Sequence, residues 1–312
     1  MIYIFAFLKN VVYGTSIFFT QGLTKNVDVL DVLALRFLMS FAVLWVLKVT
    51  GVLKIKVGIR ELCTKRHRRA PFIKALLLAA LFEPVLYMLF ETLGVSMTTG
   101  ITAGVLLSLN PISGCIAESL ILKEKTTTLQ KFFLGIGIVG VIYIAVNTNT
   151  STGQDTLLGI IFILLAVVTG SLYLVFSRKS SSSFSSMEIT YVSAMLGMIA
   201  FNFINIVRHI YSGNITKYFV PYMSAENITG FVFLAVISTI VATGMNNYAL
   251  RKMQVSTMSA FGGISTLVTI AVGVIFRGEH LEYFHFIGLV LIVARMVGVS
   301  YIDMQKHKFM KN

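Results

Sequence analysis

Charged residues are scarce in this sequence, at 12% of 312 positions, about half the share of an average soluble domain. With 56% of its residues hydrophobic, a water-soluble fold could not cover its own surface. Cysteine is scarcer still: Cys63 sits in a basic stretch and Cys115 inside an apolar run. Two thiols so placed give neither a disulfide framework nor a metal-ligand spacing, so no metal and no cofactor is expected. No phosphate loop of the form GxxxxGK[ST] occurs, which argues against ATP hydrolysis by the chain itself. Nor does a basic region precede the first apolar stretch, or a small-residue cleavage site follow it, so that stretch is expected to be retained.

What is present is a succession of apolar runs of about twenty residues, the length one helix needs to cross about 30 Å of hydrocarbon. Mean hydropathy is +0.84. A membrane β-barrel would show shorter segments of alternating polarity, and runs such as Leu157 to Phe176 do not alternate. The expected fold is therefore an all-α integral membrane protein. Ten helices are expected, at Tyr3–Leu23, Val29–Val49, Phe72–Leu93, Thr98–Leu122, Leu129–Val146, Leu157–Phe176, Met187–Tyr211, Ile228–Leu250, Thr257–Phe276 and Tyr283–Met304.

The formal net charge of +13 would suit nucleic acid, but the basic residues lie between the apolar runs rather than along one helix face. They read instead as topology, because cytoplasmic loops of membrane proteins are enriched in Lys and Arg. Nine of them fall between Lys48 and Lys74. With that segment inside and ten spans, inside segments hold 19 Lys and Arg and outside loops hold 4. Both termini are then cytoplasmic, in the cell membrane, and no nucleic-acid partner is expected.

A weak duplication runs through the chain. Leu122-Lys123-Glu124-Lys125 answers to Arg277-Gly278-Glu279-His280-Leu281, and the two glutamates are 155 residues apart in a chain of 312. Each follows a helix rich in small residues and precedes one containing glycine. Residues 1–150 and 151–312 are accordingly read as two five-helix repeats. Five is odd, so the halves enter the membrane in opposite senses. Inverted repeats of this kind place a substrate site near the bilayer midplane and alternate access by rocking one bundle against the other.

Several motifs carry a resemblance to the drug/metabolite transporter superfamily, in its EamA-type ten-helix branch. They are Tyr13-Gly14-Thr15-Ser16, Ala34-Leu35-Arg36-Phe37-Leu38 with Ala42 and Leu44, and Leu106 to Pro111 with Glu124 and Gln130. A second-half counterpart runs from Tyr248-Ala249-Leu250 through Glu279 to Gly288. The resemblance implies a secondary transporter that exports a small metabolite, an amino acid or similar solute, through a central cavity. This chain departs from the pattern at Thr266, where the first half has Pro111, and at its two acidic residues in the third helix. A channel or sensor on the same fold is the alternative. An intramembrane enzyme built on Gly262-Gly263-Ile264-Ser265 with His280 and His285 fits poorly, because the serine lies within a helix and the histidines near its outer end.

Charges within membrane helices are costly and mark interior partners or function. Arg36 and Glu91 lie at compatible depths for an ion pair between the second and third helices. Glu83 lies at mid-helix before Pro84, and either lines the cavity or pairs with Lys9. Glu118 is placed to snorkel toward the inner surface, and Arg295 to line or brace the interior. Tyr87, Asn110, Asn246 and Asn247 complete the candidate substrate contacts, each with a structural reading as interhelical glue. Gly100 and Gly104 are expected to permit close helix packing.

The topology is checked by cysteine labelling in intact cells after replacement of both native thiols. A cysteine at Gln154 is expected to react with an impermeant reagent and one at Arg66 to be protected; the opposite pattern inverts the orientation.

Overall fold

The computed structural model describes residues 2–56, 70–122, 156–253 and 261–278, with isolated positions between 129 and 143, at 255 and 258, and between 282 and 301. No strand occurs among the described residues. Among the described residues seven helices are long and apolar enough to cross a membrane: α1 (Ile2–Thr24), α2 (Val29–Val49), α3 (Phe72–Ser96), α4 (Gly100–Ile121), α5 (Leu157–Ser180), α6 (Ser186–Tyr211) and α7 (Ala225–Leu250). A shorter apolar helix follows, α8 (Gly262–Arg277). The helices expected near 129–146 and 283–304 fall largely outside the described residues.

Short polar side chains set where several of these helices begin. Asp28 accepts from the Leu30 amide at 2.9 Å ahead of α2, and Thr156 accepts from the Gly159 amide at 3.0 Å ahead of α5. Ser185 and Glu188 form a reciprocal capping box at the start of α6. Each cap satisfies amides that no helical carbonyl reaches. At its far end α8 stops at Gly278, whose φ of +64° is a left-handed conformation natural to glycine.

Two helices are irregular. α3 opens into a wide π turn over Leu81–Leu86, where Glu83 leaves helical geometry (φ −138°, ψ 118°) and Pro84 has no amide hydrogen to donate. α7 widens in the same manner over Phe233–Ala242. There the Thr239 hydroxyl donates to the Leu234 carbonyl at 2.8 Å, five residues back, supplying a donor where the regular ladder is stretched.

The eight helices close into a ring. α1 packs on α8, α8 on α4, α4 on α5, α5 on α3, α3 on α6, α6 on α2, α2 on α7, and α7 on α1. Large hydrophobic side chains such as Leu157, Phe203 and Ile210 are exposed on the ring's outside, the surface hydrocarbon would cover. Trp45 belongs to that outer surface, with 52% of it exposed, so the single tryptophan lines no interior space. Small residues set the close approaches. A Cβ at Gly14 in α1 would lie 2.5 Å from the Ser265 carbonyl oxygen in α8. Gly104 in α4 meets the same helix: a Cβ there would lie 3.1 Å from the Thr269 methyl, and its carbonyl accepts from Thr266 at 3.1 Å.

The Gly14 contact leaves no room for a methyl group. Gly14→Ala is expected to lower stability by about 1–3 kcal/mol, read as a reduced melting temperature of the purified protein. An unchanged melting temperature would show that α1 and α8 do not approach this closely.

Candidate functional site

Within the ring lies a polar cavity of about 100 Å³, room for a few waters or a compact solute. Six of the eight described helices line it: α1, α3, α4, α5, α7 and α8. α2 and α6 contribute no wall.

α1 presents Lys9, Asn10 and Tyr13 to this space, and α3 presents Glu83, Tyr87 and Glu91. The four-residue step from Tyr87 to Glu91 keeps those two on one helix face, and Glu83 joins them on the wall from the π turn. The Lys9 ammonium is 5.4 Å from the centre of the Tyr13 ring, a cation–π distance. Glu91 accepts a hydrogen bond from the Tyr87 hydroxyl at 2.7 Å. Lys9 and Glu83 line the same cavity without direct ion pairing.

The expected ion pair between Arg36 and Glu91 does not form. Arg36, 2% exposed, directs its guanidinium to α7, where Nε donates to Thr239 at 3.0 Å and Nη2 to Ser238 at 3.3 Å. Matching depth brought Arg36 and Glu91 to one level of the membrane, but α2 packs against α7 and α6, and its face there points to hydroxyls. Because Ser238 lines the cavity, Arg36 stands directly behind that wall. Among the described residues two cations, Lys9 and Arg36, thus stand near two carboxylates, Glu83 and Glu91, in a medium where charges interact strongly at a distance.

Asn110 and Asn246 line the cavity, and Asn247 does not. Adjacent helical residues point about 100° apart, so the pair cannot share a direction. The Asn247 amide oxygen accepts from Tyr173 at 2.6 Å and Ser177 at 2.8 Å, and its nitrogen donates to Thr190 at 3.0 Å. Asn247 therefore fastens α5 and α6 to α7. The buried amide oxygen of Asn246, by contrast, has no hydrogen-bond partner among the described residues. Arg295 lies outside the described residues.

Composition gave no sign of Ser238, Gly170 or Ser265 as wall residues. Gly170 lets an aromatic ring approach: a Cβ there would lie 2.9 Å from Tyr87. The chain separation does give a sign. Glu83 and Ser238, Glu91 and Asn246, Leu107 and Gly262, and Asn110 and Ser265 are each 155 residues apart, and all eight line the cavity.

Two ionic clusters lie away from this wall. Glu118 is 4% exposed and does not snorkel; it pairs with Arg178 and accepts from the Val255 amide at 3.1 Å. At the opposite end of the bundle Asp31 receives Arg208 at 2.8 Å, His209 at 2.7 Å and Asn205 at 2.9 Å. These tie the start of α2 to the end of α6. The following connection folds over them, with the Tyr218 hydroxyl donating to Asn202 at 2.6 Å and burial holding that hydroxyl above its usual pKa.

Among the described residues no group of three His, Cys, Asp or Glu is placed to hold a metal. The model of the EamA-like transporter family matches residues 1–146 and 157–301. An uncharacterized transporter, YcxC of Bacillus subtilis (strain 168), is 30% identical over 97% of this chain and 94% of its own. An uncharacterized transporter of Clostridium kluyveri is 26% identical over 70% of this chain and 68% of its own. One solved crystal structure superposes over 97% of both chains at a TM-score of 0.62 and 16% identity, a likeness of fold alone.

The two neighbouring asparagines should separate by experiment. Asn247→Ala leaves buried partners on two helices, α5 and α6, unsatisfied, at about 1–3 kcal/mol, and is expected to lower melting temperature and yield. Asn246→Ala removes an amide oxygen that has no partner among the described residues and is expected to lower the melting temperature by less than Asn247→Ala. Equal losses from both would erase the distinction.

Proposed function

The chain belongs to the EamA-like transporter family, and from that premise we propose that it is a secondary transporter exporting a small metabolite, an amino acid or similar solute, by alternating access. The observation that carries this reading is the cavity wall itself, drawn from residues 155 apart in the two halves of the chain.

The ring supports the inverted repeat. With one further helix counted between α4 and α5, an offset of five helices exchanges α1 with α5, α2 with α6, α3 with α7, and α4 with α8. Applied to the packing order, that exchange returns the same ring: α1 on α8 becomes α5 on α4, and α3 on α6 becomes α7 on α2. The helices with π turns, α3 and α7, exchange with one another. A tenth helix beyond α8 completes two sets of five, with both termini cytoplasmic by the distribution of Lys and Arg.

The halves differ in charge. Among the described residues the formally charged groups of the cavity wall, Lys9, Glu83 and Glu91, come from the first half. Opposite them stand neutral Ser238 and Asn246. A zwitterion suits this wall, its ammonium near Glu83, its carboxylate near Lys9, and its remaining donors toward Asn110, Tyr87 and the open acceptor of Asn246. Arg36 completes the charge balance from behind and acts as a brace. Family and relatives point away from an enzyme, and a channel would differ in passing solute without saturation.

Thermal-shift screening against amino acids, amines and nucleotides should find a stabilising solute, and counterflow of that solute in proteoliposomes tests transport. In that assay Glu83→Gln is expected to remain folded and to lose at least about tenfold in rate, since glutamine keeps the shape but cannot ionise. Full transport by Glu83→Gln, or recovery of yield and transport when Lys9→Met is added to it, would instead make Glu83 a structural counter-charge.

A further inference from the structure

The connection between α6 and α7, residues 212–224, is unusually apolar for a segment joining two membrane helices: Lys217 is its single charged residue. Two short 3-10 turns, Ile215–Lys217 and Val220–Met223, shape it and divide its side chains between two faces. Tyr218 and Tyr222 turn inward. Ile215, Phe219, Val220 and Met223 are exposed, Phe219 by 52% and Met223 by 81%.

The inward face folds back beside the helices. The Tyr218 hydroxyl donates to Asn202, more than two turns before α6 ends at Tyr211. The Tyr222 hydroxyl donates to the Leu35 carbonyl in the second turn of α2, and its ring meets that of Phe231 in α7 edge to face at 4.9 Å.

What these tyrosines cover is the bilayer side of α2. Val32 to Phe37 are consecutive, and none is more than 2% exposed. At about 100° per residue they point to every side of the helix, so the side turned away from the ring's interior is covered as well. Tyr218 and Tyr222 pack into the same apolar core as Val32, Leu35 and Phe37. Nearer its other end α2 has no such cover, and Trp45 and Val46 lie open. The connection stands where lipid would otherwise touch α2.

Its exposed face continues a surface that already meets hydrocarbon. On α6, Phe203, Ile206 and Ile210 are exposed in one stripe at helical spacing, and the chain passes from that stripe into the connection. Within it the amides of Lys217, Tyr218 and Tyr222 donate to carbonyls three residues back, and Pro221 has no amide hydrogen to satisfy. A backbone paired to this extent suits the boundary between headgroups and acyl chains, where water reaches its remaining groups, and not the hydrocarbon centre.

We infer that residues 212–224 are a lipid-facing strap, which clasps α2 through Tyr218 and Tyr222 and seats Ile215, Phe219, Val220 and Met223 at the headgroup boundary of the leaflet at that end of the bundle. Its partner is the bilayer itself. This holds whatever solute the central cavity takes.

Phe219→Trp and Met223→Trp, made separately in a chain whose native tryptophan is removed by Trp45→Phe, report on the strap in phosphatidylcholine liposomes. Both positions are exposed, so neither change crowds a packed core, and either reporter alone suffices. The probes are phosphatidylcholine brominated near the start of its acyl chains, and aqueous iodide. Bromolipid is expected to remove about half or more of the emission, and iodide to quench at least about fivefold less steeply than it quenches N-acetyltryptophanamide, as for a ring seated at the acyl boundary. Adding Tyr222→Phe, which deletes the bond to the Leu35 carbonyl, is expected to steepen iodide quenching about twofold as the strap loosens. Emission indifferent to bromolipid and quenched by iodide as freely as N-acetyltryptophanamide would overturn the inference in favour of a loop in water. Protection from both quenchers would overturn it in favour of a second protein surface on this face. Iodide quenching unchanged by Tyr222→Phe would overturn the clasp.

Discussion

A charge inside a bilayer must turn away from hydrocarbon, and the arrangement of this protein follows from that requirement. Lys9, Arg36, Glu83 and Glu91 all belong to helices whose outer surfaces are apolar, and the ring gives their polar ends a common interior. Their stabilisation does not depend on tight ion pairs. Arg36 is satisfied by two hydroxyls, Glu91 by a tyrosine and Lys9 by an aromatic face, while the net charge is balanced across a few helix widths. A wall built this way keeps its carboxylates beside an open space in the bundle. Two closed salt bridges would have turned the same residues into inert struts.

Backbone irregularity serves the same interior. A regular helix has no carbonyl or amide to offer sideways, and the two π turns, at Leu81–Leu86 and Phe233–Ala242, occur where Glu83 and Ser238 face the cavity. Such turns are tolerated at membrane depth because neighbouring helices and polar side chains take up the displaced bonds. In α3 the sequence announces the irregularity through Pro84. In α7 it is announced by nothing comparable, and only the hydroxyl bonds of Thr239 and Thr243 to carbonyls five residues back disclose it.

Helix positions were legible because hydrocarbon thickness and capping chemistry both act locally. α2 runs over Val29–Val49 as its apolar run and the preceding Asp28 require. α8, expected from Thr257, begins at Gly262. Azimuth was far less legible. Depth along a helix can be counted from sequence, but the direction a side chain faces depends on which neighbour the helix packs against. That is why depth alone points Arg36 to Glu91 whereas it meets Thr239, and points Glu118 to the surface whereas it meets Arg178. Asn246 and Asn247 show the same limit at its smallest scale, one residue of rotation dividing a cavity wall from an interhelical clasp. The 155-residue spacing was visible beforehand in Glu124 and Glu279 alone; its appearance in four pairs of wall residues needed the third dimension.

The pair α2 and α6 packs together and supplies nothing to the cavity. Hydrogen bonds join the pair directly, Asn202 to the Ala34 carbonyl at 3.0 Å and Asn205 to Asp31 at 2.9 Å, while Arg36 and Thr190 fasten it to α7. Rigidity is thereby concentrated in two helices that stand back from the polar wall. A substitution at Tyr87 on α3 or Asn246 on α7 can then reshape the wall and leave the α2–α6 contact as it is.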